Sequence, residues 1–188
     1  MKKYILLLLC AALLFWTVPS IKADEFVLEY ETAFTLRDSD LDGEADGLDD
    51  QSNGFWGLIT NSDSQIDEFL LEFDISNLTA ACSAKFDFIF SRSGPSPLPY
   101  ELKLAVYEAD GVASLSDFGA GDFFDSVIIS NIEENVFLVD LTSVFNSFIA
   151  SGVSHFGIRL YDPISIISPT AAAQLKFEEG NMTIVPTP

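Results

Sequence analysis

Basic residues are scarce in this chain: nine Lys and Arg stand against 29 Asp and Glu, for a net charge of −20. Phosphate backbones are held by clustered Lys and Arg, so nucleic acid is excluded as a partner, and an anionic lipid surface is repelled. A field of this sign attracts metal cations instead. Cysteine is as sparse: of the two, Cys10 falls in an amino-terminal apolar run and Cys82 is left alone. Once that run is removed no intrachain disulfide can form, so stability must come from the core or from bound metal. Leu78-Thr79-Ala80-Ala81 and Ser83-Ala84 give Cys82 a small, apolar setting, which predicts burial. Histidine is reduced to His155, which enters a strand with no identifiable nucleophile beside it. Paired carboxylates of the glycosidase kind have many candidates and none that stands out. No catalytic residue is expected.

What is present begins with the export signal. Met1-Lys2-Lys3 is a short basic start, Tyr4 to Val18 is almost uninterruptedly apolar, Pro19-Ser20 breaks the run, and Ala23 offers a small residue before Asp24. Those are the parts of a secretory signal peptide. The competing reading is a transmembrane anchor, but the run is shorter than the roughly 20 residues a spanning helix needs. Lipoprotein processing at Cys10 is disfavoured by the bulky Leu9 before it. Cleavage after Ala23 removes three lysines and no acid, leaving 165 residues of net charge −23. The expected organisation is a signal peptide over 1–23, one domain over 24–185 and a tail over 186–188, in a secreted or surface-exposed protein that meets the membrane only during export.

Strand signals dominate the rest. Short runs rich in Val, Ile, Phe and Tyr recur between clusters of Gly, Pro, Asn, Asp and Ser. They predict strands at about 25–36, 54–60, 67–73, 84–91, 101–108, 126–132, 135–140, 155–160, 174–178 and 182–185. Phe86, Phe88 and Phe90 share one face of their strand, and Leu102, Leu104 and Val106 share one face of theirs. Period-two alternation describes strands with one buried and one wet face. About ten of them in one domain describe two packed layers, a jelly-roll-like antiparallel β-sandwich. One segment departs: Leu141, Val144, Phe145, Phe148 and Ile149 follow a helical period, with Asp140 placed to cap the start and Gly152 to close the end. Long loops are expected at 38–53 and 109–125.

The first of these loops carries the sharpest local pattern. In Asp38-Ser39-Asp40-Leu41-Asp42-Gly43-Glu44-Ala45-Asp46-Gly47-Leu48-Asp49, acids fall at positions 1, 3, 5, 9 and 12, with Gly at position 6. That is the register of a calcium loop. Calcium takes about 6–8 oxygens at roughly 2.3–2.6 Å, which alternate acids on a tightly curled backbone supply. The expected ligands are the side chains of Asp38, Asp40, Asp42 and Asp49, the carbonyl of Glu44, and Asp46 directly or through water. An Asp at position 12 and strand-like flanks point to a structural site of extracellular type. The alternative is a solvated acidic loop without metal.

Read in order, the strands resemble the DNRLRE-type domains, the group that includes carbohydrate-binding module family ninety-six. Leu70-Leu71-Glu72-Phe73-Asp74-Ile75-Ser76 is similar to that family's first signature, followed by the alternating strand at Cys82–Phe88 and Val106-Tyr107. Val139-Asp140-Leu141-Thr142, Gly157-Ile158-Arg159-Leu160 and Phe177-Glu178-Glu179 match the later ones. The resemblance implies a jelly-roll sandwich on extracellular bacterial proteins, beside polysaccharide-active or attachment modules. Partners are then expected to be polysaccharide or a surface protein. With few basic residues, this chain departs from relatives thought to bind acidic polysaccharide through positive side chains. Trp56 and Tyr100 are the candidate sugar-stacking residues, core or turn packing being the alternative for each.

Overall fold

Alternation along 67–73 decides how the layers form. Phe69, Leu71 and Phe73 point to one side of their strand, and Glu68, Leu70 and Glu72 to the other. In the computed structural model, which describes residues 24–50, 57–62, 65–93, 99–130, 135–162 and 173–187, both sides are buried. The amino-terminal apolar run and Trp56 lie outside the described residues.

The described residues contain eleven strands: β1 (Phe26–Leu28), β2 (Thr32–Asp38), β3 (Gly47–Asp50), β4 (Gly57–Ser62), β5 (Gln65–Asp74), β6 (Ala81–Ser93), β7 (Tyr100–Ala109), β8 (Asp122–Ile129), β9 (Asn135–Asp140), β10 (His155–Tyr161) and β11 (Ala173–Pro186). All pairings among the described residues are antiparallel, as the sandwich reading expects. The first sheet runs β3-β2-β5-β10-β7-β8. In the second, β11 has β1 and β4 along one edge and β6 along the other, with β9 beyond. At one corner β4 also pairs with the start of β5, so hydrogen bonding passes from one layer to the other.

Several expected boundaries shift. The run expected as one strand at 25–36 is two, β1 in the second sheet and β2 in the first. The two expected at 174–178 and 182–185 are one, β11, joined through an irregularity between Phe177 and Glu179. Cys82 is exposed rather than buried, because Ala81 and Ala84 take the inward positions at that end of β6.

The main core lies between the sheets. It joins Phe69, Leu71 and Phe73 of β5, Phe156 and Ile158 of β10, and Leu102 and Leu104 of β7 to Phe86 and Phe88 of β6 and Met182 and Ile184 of β11. One end is closed by α1 (Thr142–Ser151), which buries Phe145 against Phe156 at a ring separation of 6.1 Å. Asp140 caps this helix from one residue before the cap position, its Oδ1 accepting the Thr142 N–H at 3.0 Å. Gly152 closes it with φ of 74°, a left-handed conformation that glycine adopts without strain. Asn146 fastens the helix to β6, accepting the Ala81 N–H at 2.8 Å and donating to the Ala81 carbonyl at 2.9 Å.

A second, smaller cluster lies on the outer face of the first sheet. Phe34, Leu36, Leu70, Tyr107 and Ala109 are covered there by Ala45 and Leu48 from one excursion and by Ala113, Phe118 and Ala120 from another. The described parts of the two excursions expected as loops therefore form a roof, although 47–50 is strand β3 and β8 already begins at Asp122. Gly157 belongs to this arrangement: a Cβ on it would meet the Tyr107 ring at 2.3 Å. Gly157→Ala is expected to displace that ring and to cost about 1–3 kcal/mol, the usual range for overpacking. Urea denaturation of the two proteins checks this.

Candidate functional site

The acidic stretch is a β-hairpin connection. β2 ends at Asp38, β3 begins at Gly47, and the Asp46 N–H donates to the Arg37 carbonyl at 2.8 Å to close the loop. Within it the backbone curls through left-handed conformations at Leu41 (φ 63°) and Gly43 (φ 90°). Asp38, fully buried, organises the curl by accepting the Leu41 N–H at 2.6 Å and the Gly43 N–H at 2.9 Å. Asp42 Oδ1 accepts the Glu44 N–H at 2.9 Å. The result is a cluster in which one carboxylate oxygen each from Asp38, Asp40 and Asp42 lies within 4.8 Å of the others. Two oxygens bound to one calcium at about 2.4 Å are at most about 4.8 Å apart, so the spacing suits a shared ion. The all-oxygen donor set fits a hard cation.

The carboxylates of Glu44, Asp46 and Asp49 are not in this group. Glu44 was expected to supply its carbonyl, and its side chain is exposed, as are those of Asp40 and Asp42. Asp46 turns back on Ser39, accepting its hydroxyl at 2.6 Å and its N–H at 3.2 Å. Asp49 is on β3 opposite Thr35, and alternation puts its side chain on the face away from Asp38, whose neighbours on the strand are Leu36 and Phe34. It meets Arg37 instead, 3.7 Å from Nη2. Arg37 also donates from Nε to the buried Asp67 at 2.8 Å, and these acids hold its guanidinium above the usual range, the Asp67 hydrogen bond most. A hairpin register thus overrides the twelve-position register at its last member.

Of the two candidate stacking residues, Tyr100 opens β7 opposite Ile129 and Trp56 lies outside the described residues. His155 has neighbours that the sequence did not reveal. Ser154 Oγ is 3.0 Å from its Nδ1 and Glu31 Oε2 is 3.2 Å from its Nε2. This line of three lies at the surface, with Ser154 and Glu31 exposed.

A polar network that sequence reading missed lies under the second roof, residues 110–121. Glu68 and Arg159 form an ion pair at 2.5 Å, their side chains 7% and 8% exposed. Glu68 Oε2 accepts the Gly119 N–H at 2.9 Å, and Arg159 Nε donates to the Ala120 carbonyl at 2.7 Å. The Arg159 guanidinium also lies 4.1 Å from the centre of the Tyr161 ring. Burial pushes the Glu68 carboxyl up, while Arg159 and the Gly119 N–H pull it back. Two pleat repeats further along β5, the Tyr107 hydroxyl donates to Glu72 Oε1 at 2.9 Å. The available signal was Arg159 itself, a rare cation in the apolar strand Phe156–Leu160.

No protein-family model matches the chain, so the DNRLRE-type resemblance rests on its motifs alone. No curated protein matches it either. Among solved structures, the chain is similar to the CBM22-1 xylan-binding domain of Paenibacillus barcinonensis Xyn10C, at 9% identity and a TM-score of 0.39, covering 86% of this chain and 97% of that one. It is also similar to a family 35 carbohydrate-binding module from Clostridium thermocellum, at 10% identity and a TM-score of 0.32, covering 88% of this chain and 100% of that one.

Proposed function

We propose that this is an exported, non-catalytic module whose β2–β3 hairpin holds a structural calcium ion and whose sandwich engages extracellular polysaccharide. The observation that carries the reading is the convergence of Asp38, Asp40 and Asp42 on a curled loop at the end of a core strand. Three carboxylates so close repel one another, by about 1 kcal/mol per pair at 4 Å in water and more where solvent is excluded. A divalent cation turns that repulsion into attraction and ties the roof to the sheet. The polysaccharide reading is supported by the ordered motifs shared with DNRLRE-type domains, and export by the amino-terminal segment.

Thermal melting with calcium and with chelator tests the metal. Calcium at about a hundred times its Kd should add roughly 2.7 kcal/mol by mass action and raise the midpoint. Asp40→Asn combined with Asp42→Asn should remove the increment. Identical midpoints with and without the ion would refute the site. Binding to a panel of neutral polysaccharides tests the partner, and Trp56→Ala and Tyr100→Ala test the two platform residues.

A second reading, a surface subunit that assembles with protein, is favoured by one observation. The terminal strands β8 and β9 expose Phe123, Ile128, Val136 and Leu138, all more than half accessible. Edge strands are usually protected by charge, and apolar ones pair with other strands. Calcium-dependent self-association without glycan binding would decide for it.

A further inference from the structure

Glu72 is the one buried side-chain group among the described residues with an oxygen left without a hydrogen-bond partner. Its side chain is inaccessible, Oε1 accepts the Tyr107 hydroxyl at 2.9 Å, and Oε2 accepts nothing. Above it lies the segment 110–121, which is held at two points. Near its start, the Thr32 hydroxyl donates to the Gly111 carbonyl at 3.3 Å. Near its end, Glu68 and Arg159 hold Gly119 and Ala120.

The charges around Glu72 make an unpaired carboxylate expensive there. Tyr107 reaches it from β7, and Asp110 and Asp117 act on it from the covering segment. Glu68 shares its face of β5, His155 and Arg159 flank Gly157, its partner on β10, and the Glu31 N–H donates to its carbonyl from just before β2. Arg159 is committed to Glu68 and His155 to Glu31. Asp117 and Asp110 add like charge. The Gly111 N–H lies toward the group without making a hydrogen bond of normal geometry. A neutral carboxylic acid avoids both the repulsion and most of the desolvation.

We propose that Glu72 is a proton-operated latch for the 110–121 segment: protonated, it lets the segment close over the outer face of the first sheet, and deprotonated, it drives the segment open to admit water. Burial is the largest cause raising the carboxyl above its ordinary value, and the two aspartates add to it. With the segment lifted, the group returns toward that ordinary value. The sign follows: closure is fully favoured below the ordinary carboxylate range and weakens as pH rises toward the raised value. Between the two, the closed-to-open ratio falls about tenfold per pH unit, because closing takes up one proton. The latch requires neither calcium nor glycan, so its failure and the failure of the proposed function are separable.

Hydrogen exchange of the Gly119 and Ala120 amides, measured across pH and corrected for intrinsic rates, tests it. Protection in the unaltered protein should fall with rising pH. Glu72→Gln should make the fall shallower, leaving only what the raised Glu68 carboxyl contributes, Glu68→Gln should retain the Glu72 part of the fall, and the double variant should hold protection level. An infrared band of a neutral carboxylic acid should be present and be lost in Glu72→Gln. Tyr107→Phe supplies a second route if Glu72→Gln does not fold. It removes a donor that favours the carboxylate, so the fall in protection should move to higher pH. Protection independent of pH in the unaltered protein, an undiminished slope in Glu72→Gln, or an unmoved midpoint in Tyr107→Phe would each overturn the latch.

Discussion

Arg159→Met should destabilise the fold by about 3–5 kcal/mol, the cost of leaving one member of a buried ion pair without its partner. The side chain is 8% exposed and fills three roles: the pair with Glu68, the hydrogen bond to the Ala120 carbonyl, and contact with the Tyr161 ring. Methionine keeps much of the volume, so the loss reads out charge and hydrogen bonding more than packing. The double variant Arg159→Met, Glu68→Leu should recover much of the stability, since replacing both members of such a pair by apolar residues is often close to neutral. A denaturant series on the parent, the two single variants Arg159→Met and Glu68→Leu, and the double variant gives the coupling directly. The single variant should also depend on pH. Burial already raises the Glu68 carboxyl with Arg159 in place, and removing the cation raises it further. A group raised in the folded state stabilises it below its ordinary value and loses that contribution as pH rises through the raised one. Arg159→Met is therefore expected to lose more stability at alkaline than at mildly acidic pH. A single variant as stable as the parent at every pH would show that the pair adds nothing.

The sandwich was legible because alternation is a property of neighbouring residues. Lys85–Phe90 and Glu101–Tyr107 announce which side chains turn inward without reference to any partner strand, and Phe86, Phe88, Leu102 and Leu104 are all in the core. The helix was legible for the same reason, its period and its closing Gly152 being local. What was not legible depended on distant residues. Glu68 and Glu72 alternate with buried aromatics and so read as a wet face. Only the folding back of 110–121 makes that face an interior. Asp38, Asp40 and Asp42 are neighbours in sequence, and spacing sufficed to bring them together. Asp49 lies across a hairpin whose register, Thr35 opposite Asp49, is set by pairing and not by the loop's own pattern. The environment of Cys82 misled in the same way, since small neighbours describe composition and not the side of the strand on which a thiol falls.

The second large effect belongs to the junction between helix and sandwich. Phe156 is fully buried, with Phe145 at 6.1 Å and Phe148 at 5.3 Å, both rings meeting it at 72°. Such edge-to-face pairs add about 0.5–1.5 kcal/mol each beyond area burial. Phe156→Ala should cost about 3–5 kcal/mol, from lost transfer energy and from a cavity that its neighbours fill only in part. Across a domain of this size that is roughly a 10 °C fall in Tm, at about 2–4 °C per kcal/mol. The loss should not be uniform along the chain. α1 is fastened to β6 through Asn146 and Thr142 independently of Phe156, so its first turn should stay attached while the turn carrying Phe148 loosens. Hydrogen exchange would then show protection falling further at Phe148–Ser151 than at Phe145–Asn146. Equal loss along the whole helix would mean that the aromatic contacts, and not the polar ones to β6, hold both of its ends.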